Sequence, residues 1–355
     1  MFCSSIVSAD EPIIEYWANG KKKSEYEMKD GKKNGKSIEW FESGAKEKEV
    51  DYIDGKKNGK YIVWQKNGNK GVDVDYIKDK SNGIAIRYYE NGVKMTEEDY
   101  KNDKRIGKFT AWHFSGVKSG EIEYNIDGEK NGNYTFWFGN GNKEEEGSYK
   151  NGKRAGKYSS WYENGAKKSE SEFKDDIING KLIKWYESGA KEYEAEYKDG
   201  KQNGKHIDWY ESGAKKSESE FKDDLLNGKY ILWNESGAKK YETEYKDDKL
   251  NGKFALWYES GAKKSECEWI DGKRNGKKIE WNNKGDVISE EKYKNDKVIV
   301  VEHKIEFWSP GKKKSDYELN DGIVNGKAVW WHENGVKKSE GEFKETIKNG
   351  QMAKK

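Results

Sequence analysis

A chain of 355 residues that is only 32% hydrophobic and 38% charged would, on those two figures, be disordered. Its 15 Trp, 23 Tyr and 11 Phe exclude that reading, because a solvated polar chain has no use for so many rings. Lys and Arg (68) balance Asp and Glu (66), which excludes bulk attraction to nucleic acid or an anionic membrane, and the two Cys exclude a disulfide framework.

The chain opens with residues 1–12, MFCSSIVSADEP, whose Val7-Ser8-Ala9 suits cleavage at the end of a secretory signal. The segment lacks a basic start and a full apolar stretch, so it reads equally as a truncated signal or as an ordinary N-terminal segment. No later stretch is long and apolar enough for a membrane-spanning helix.

Residues 13–350 form a tandem array, and 351–355 a short tail. Each copy is marked by a large ring at Tyr16, Trp40, Trp64, Tyr88, Trp112, Trp137, Trp161, Trp185, Trp209, Trp233, Trp257, Trp281, Phe307 and Trp331. Eleven of the thirteen spacings are 24 residues; the others are 25 and 26. A Gly follows each ring by four residues, as at Gly165, and a third landmark follows that Gly by eight, as at Phe173.

Both halves of a copy alternate with period two, and Ile stands two residues before the ring in nine copies. These are strands. Glu-Asn-Gly or Glu-Ser-Gly between them suits a three-residue hairpin loop closed by a left-handed Gly. Counted on from that loop, Trp161 pairs with Lys167, Ser159 with Ser169 and Lys157 with Ser171, and Trp161 shares a face with Phe173. The connection KDG-K-x-NG is also rich in turn residues. The expected fold is all-β: an elongated, twisted, single-layer antiparallel meander of about fourteen 24-residue hairpin repeats, solenoid-like, with its irregularity at Val298–Lys304 where the Asn-Gly is missing.

The structural core is assigned to Trp40, Trp64, Trp112, Trp137, Trp161, Trp185, Trp209, Trp233, Trp257, Trp281 and Trp331. The residue after each ring forms a second row, and its Phe41, Tyr89, Phe138, Tyr162, Tyr186, Tyr210 and Tyr258 are the candidate binding residues, an exposed aromatic strip flanked by both charges. Glu pairs such as Glu170 and Glu172 recur in nearly every copy, whereas a catalytic pair needs one distinctive environment. No catalytic residue, metal site or cofactor is expected; the four His are scattered and the Asp pairs lack the ligands of a calcium loop.

Tyr197–Gly213, YKDGKQNGKHIDWYESG, resembles the bacterial variant of the MORN repeat, also the hallmark of YwqK-family antitoxins, and the resemblance extends over about residues 13–350. It implies hairpin repeats in an elongated sheet and a binding or scaffold role toward protein or lipid. The expected function is a non-enzymatic scaffold for protein–protein or surface contacts, secreted or at the cell envelope, with a cytoplasmic location as the alternative. The alternatives in function are an antitoxin or immunity protein that masks a toxin, and a carbohydrate-binding repeat. A protein partner is expected, a glycan or lipid surface is a further candidate, nucleic acid is not, and the terminal strand edges suit end-to-end self-association.

Overall fold

A single hairpin explains the architecture. In the computed structural model, which describes residues 11–320 and 322–343, Gly156–Trp161 and Lys167–Lys174 are antiparallel strands. Cys3, the signal-like Val7-Ser8-Ala9 and the tail 351–355 lie outside the described residues. The Tyr162 N–H donates to the Ala166 carbonyl (2.8 Å) and the Gly165 N–H to the Tyr162 carbonyl (2.9 Å), with Gly165 at φ +88°. This is the expected three-residue loop, and it needs Gly because an L side chain is strained there.

The register beyond the loop differs from the sequence expectation. Trp161 does pair with Lys167, but the register then shifts by one: Ser160 pairs with Ser169, Ser159 with Glu170, Tyr158 with Ser171 and Lys157 with Glu172. Lys168 is the extra residue of a β-bulge. A one-residue shift reverses every later side chain, so Phe173 leaves the Trp161 face and joins Tyr158, whose ring meets it edge-on at 5.8 Å. Glu170 and Glu172 take the Trp face instead. The same shift recurs, for example, at Glu39/Trp40, Lys184/Trp185 and Leu256/Trp257.

The Asp-Gly and Asp-Asp pairs make two-residue turns with both φ positive, as at Asp54 (+51°) and Gly55 (+78°). The Asn-Gly that follows is not a turn. In Gly180 (φ +124°) it marks a second bulge, where the Asn179 N–H donates to the Glu172 carbonyl at 2.8 Å and the strand resumes.

All regular elements among the described residues are strands, and neighbouring strands within each sheet pair antiparallel. The chain divides into two compact units: residues 11–203 with 211–213, and residues 204–210 with 214–343. In the first, the meander runs from Ile13–Tyr16 to Lys191–Lys198. In the second, the same pattern reaches Lys297–Val298, and Val301–Ser309, Lys312–Asn320, Ile323–Trp331 and Lys337–Phe343 form a separate four-stranded sheet. The interruption falls within the irregular stretch expected from the sequence.

A single layer has a thin core. The fully buried positions are small residues on the Phe173 face, such as Val50, Ala195, Ser219 and Thr243, with rings lying over them. None of the eleven Trp assigned to the core is fully buried; all are half-buried on the other face. Ring and small residue are matched across the pair: Tyr134 opposes Gly147, while Ala328 opposes Tyr317. A Cβ on Gly147 would lie 2.9 Å from the Tyr134 ring. Gly147→Val is therefore expected to cost about 1–3 kcal/mol by overpacking, read as a shifted denaturation midpoint. Gly139→Ala, with open space at the Cβ, is the neutral control.

Candidate interaction surface

The two faces of the sheet differ in how much they vary from copy to copy. On the Trp face the residue nine after the ring is acidic in all fourteen copies, and the residue six after it is Lys in thirteen. These form ion pairs along the strand, such as Lys191–Glu194 (2.8 Å) and Lys215–Glu218 (2.7 Å), often joined by a Lys of the first strand, such as Lys181 (3.0 Å from Glu194). The same Lys lies over the next copy's ring: Lys143 over Trp161 (5.6 Å), Lys167 over Trp185 (5.7 Å) and Lys239 over Trp257 (5.6 Å). Exposed pairs of this kind contribute little singly, but their repetition leaves this face self-satisfied in charge and ring contacts.

The row after the ring ties one copy to the next. The hydroxyls of Tyr89, Tyr162, Tyr210 and Tyr258 donate to the carbonyls of Trp112, Trp185, Trp233 and Trp281 at 2.9, 2.8, 3.0 and 2.9 Å. Trp17 Nε1 and Trp308 Nε1 do the same toward Trp40 and Trp331. Phe41 and Phe138 stand at the same position without a hydroxyl to donate, and Tyr186 occupies it too. All seven candidate residues are half-buried rather than exposed. Lys168, Lys216 and Lys264, each at a bulge, cover Tyr162, Tyr210 and Tyr258 at 5.5–5.8 Å. Burial, followed by the Glu192, Glu187 and Glu211 charges, raises the Tyr162 phenol above its ordinary pKa. Tyr162→Phe and Tyr210→Phe are each expected to cost about 0.5–1.5 kcal/mol, measurable by chemical denaturation, with binding left intact.

The opposite face, which carries Tyr158 and Phe173 and is called the tyrosine face, behaves differently. Residues one before the ring and eight after it are direct partners in the hairpin, and they change chemistry from copy to copy. In the first unit the pairs include Glu39/Lys48, Val63/Val72, Arg87/Thr96, Phe136/Glu145 and Lys184/Tyr193. In the second they include Asp208/Ser217, Leu232/Tyr241, Leu256/Ser265 and Trp330/Ser339. Rings flank this stripe, and cations cover them: Arg154 lies 4.2 Å from the Phe173 ring and Arg274 4.3 Å from Tyr293. In the second unit the stripe opens into a groove of about 570 Å³ lined by Phe254, Leu256, Trp269, Arg274, Lys278 and Glu280, among others. Trp269 Nε1 is buried there without a hydrogen-bond partner.

Two carboxylates of this face, Glu98 and Asp208, are held in the charged form by their neighbours. Glu98, 3% exposed, takes the slot that is Val50 or Val74 in the preceding copies. It accepts from Arg87 (2.7 Å), Arg105 (2.6 and 2.8 Å) and Tyr100 (2.6 Å). Burial opposes its charge, but the hydrogen bonds from Tyr100 and Arg105 and the two guanidinium charges outweigh it and hold the carboxyl below its usual range. Asp208 is likewise held low: burial opposes ionisation, and His206 (3.2 Å) and Ser217 (2.5 Å) overcome it. Among the described residues no group of His, Cys, Asp and Glu is arranged to hold a metal ion. The stripe escaped the sequence reading because the bulge was missed; its signal was the variation between copies at fixed offsets.

The structural matches are distant. A chain in the crystal structure of TcdB2-TccC3-Cdc42 is 11% identical over 92% of this chain and 19% of its own, with a TM-score of 0.18. Alternansucrase in complex with isomaltononaose is 13% identical over 86% and 22%, TM-score 0.17. The Photorhabdus luminescens Tc holotoxin pore is 8% identical over 93% and 18%, TM-score 0.17. This chain spans about a fifth of the length of those chains, and at such scores the likeness carries no argument. No curated protein matches. The model of the MORN repeat variant matches residues 81–102, 130–151, 154–175 and 324–345. Each of the four spans takes in a second strand, its bulge and most of the strand before it, so this chain carries the MORN repeat variant.

Proposed function

We propose that the chain is a non-enzymatic binding scaffold that takes a protein partner on its tyrosine face. The observation that carries this reading is the division of variation: the Trp face repeats one set of ion pairs and ring contacts, while the tyrosine face changes charge and shape at adjacent, paired positions. Packing alone asks for ring-against-small matching, which the Tyr134/Gly147 type of pair already supplies. The Lys184/Tyr193 and Leu232/Tyr241 pairs carry chemistry beyond that requirement. Rings with polar tips, interspersed charge and a shallow groove are the composition of a protein-recognition surface.

The test is affinity capture from the source cells with the intact chain and with a chain carrying Lys184→Ser, Asp208→Ser, Leu232→Ser and Leu256→Ser. Ser already stands at that position in Ser160, so the fold is kept. The intact chain is expected to retain a specific protein that the quadruple variant loses. Lys157→Ser, Lys205→Ser and Lys253→Ser on the other face should retain it. Equal capture by both variants would refute the assignment, as would a turnover activity that maps to one copy.

A further inference from the structure

We infer that the interruption near residue 300 is a dimerisation site, at which the strand Val301–Ser309 of one chain pairs with the open edge of Val287–Lys294 in a second copy. Every other second strand of the second unit's larger sheet has the next first strand alongside it, as Ser217 with Leu232 and Ser265 with Glu280. Val287–Lys294 pairs fully with Lys273–Trp281 on one side, but on the other only Tyr293 and Lys294 are paired, with Val298 and Lys297. Val301–Ser309 pairs with Lys312–Asn320 and is the edge of its own sheet.

The cause is written in the sequence at several positions. After Asn179 and Asn251 the strand steps through Gly180 (φ +124°) and Gly252 (φ +127°) and rejoins the sheet. Ile299 makes the equivalent bond, its N–H to the Lys292 carbonyl at 2.7 Å, but the next residue is Val300, and a β-branched side chain does not enter that conformation. Two added residues then displace the following ring. The links that join neighbouring copies are missing at the same place: Val287 replaces the Lys that would cover the next ring, and that ring is Phe307. Asn282, in the row whose Tyr162, Tyr210 and Tyr258 reach the next copy, caps its own loop instead, accepting from the Asp286 and Lys284 N–H groups.

Both open edges expose large apolar side chains among their charges. Val287, Ile288, Val301, Ile305, Phe307 and Trp308 are 57, 62, 49, 39, 52 and 45% exposed. An unprotected edge of this kind recruits another strand. The strand whose alternation fits it is the chain's own Val301–Ser309: the repeat register would set Ser289 opposite Glu306 and Glu290 opposite Ile305, as Ser169 meets Lys184 and Glu170 meets Ile183. The same chain holds that strand away through Ile299 and Val300, so a second copy supplies it, and the exchange is reciprocal and closed.

The full chain with Cys3→Ser, Cys267→Ser, Ser289→Cys and Glu306→Cys is treated with a short bis-maleimide. A covalent species of twice the chain mass is expected, and the uncross-linked chain should sediment as a dimer. Replacing Val300 by Gly with deletion of Val301 and Glu302 restores the 24-residue spacing, and this chain should sediment as a monomer. Cross-linking within single chains would overturn the inference, as would a monomeric full chain, absence of any cross-link, or a repaired chain that still dimerises. None of these outcomes bears on the tyrosine-face variants, so the two readings fail separately.

Discussion

Deleting Lys168 and Ser169 together unfolds the hairpin 156–174, whereas deleting Lys168 alone, which only removes the bulge and leaves the later pairs as they are, leaves it folded. Lys168 is exposed and its head lies only over the Tyr162 ring, so its chemistry matters little. Its backbone is the residue skipped by the pairing, so its loss alone leaves Ser171 and Phe173 on the tyrosine face. With Lys168 and Ser169 both gone, Ser160 would meet Glu170 and Lys157 would meet Phe173, so Phe173, 9% exposed, turns out among the Lys and Glu of the Trp face, and Glu170 and Glu172 turn into the face carrying Tyr158. Exposing the ring costs about 1.5–3 kcal/mol, and burying carboxylates without partners adds to it. A loss of about 3 kcal/mol or more is expected, localised by hydrogen exchange to this hairpin and its neighbours, because each copy contacts chiefly the next. Native-like protection in the double deletion would mean that the residue count after the loop does not set the register.

Arg105→Ala is expected to cost about 2–4 kcal/mol. Removing one partner of a buried ion pair costs about 3–5 kcal/mol; Arg105 is 35% exposed, so solvent screening lowers that figure. The guanidinium also lies over Phe109 (5.2 Å) and Tyr124 (5.3 Å), and that packing is lost with it. Glu98→Val with Arg105→Lys recreates the arrangement of Val50 and Lys57, where Lys57 lies over Tyr61 and Tyr76 at 4.6 and 4.9 Å, and should restore most of the stability. The pH dependence gives a second readout. The Glu98 carboxyl is held below its ordinary value of 4.5 in the folded chain. Its stabilisation is therefore complete above the unfolded value and is lost as pH falls through the lower, folded one. The double variant should lack that acid loss, so its stability relative to the native chain should rise as the medium is acidified below 4.5. A constant difference between the two from neutral to acid pH would show that folding does not shift the Glu98 carboxyl.

Much of the fold was legible because its signals are local. The Trp spacing gave the repeat, Ile two before the ring gave the strand, and Gly165 gave the loop, each within a few bonds of the structure it specifies. The face assignment was not legible. The bulge position carries Lys23, Glu47, Gly71, Met95 and Lys168 in different copies, so nothing in its composition announces an extra backbone residue. The expected pairing of Ser159 with Ser169 was the natural continuation of the loop, and one unpaired residue overturned it. The candidate surface moved with it. Tyr162 and its equivalents were chosen as an open aromatic strip, but the carbonyl of the next copy's Trp lies within reach of the hydroxyl only once the hairpins stack.

By itself, then, the sequence determined the hairpin and its 24-residue period, since alternation and turn residues act through neighbouring φ and ψ. Tertiary structure decided which rings share a face, that Glu98 is buried between two Arg, and where the sheet stops. Those outcomes depend on register, and register is settled by how whole strands pack against one another, with a single residue, skipped as Lys168 is or unable to turn as Val300 is, enough to tip it.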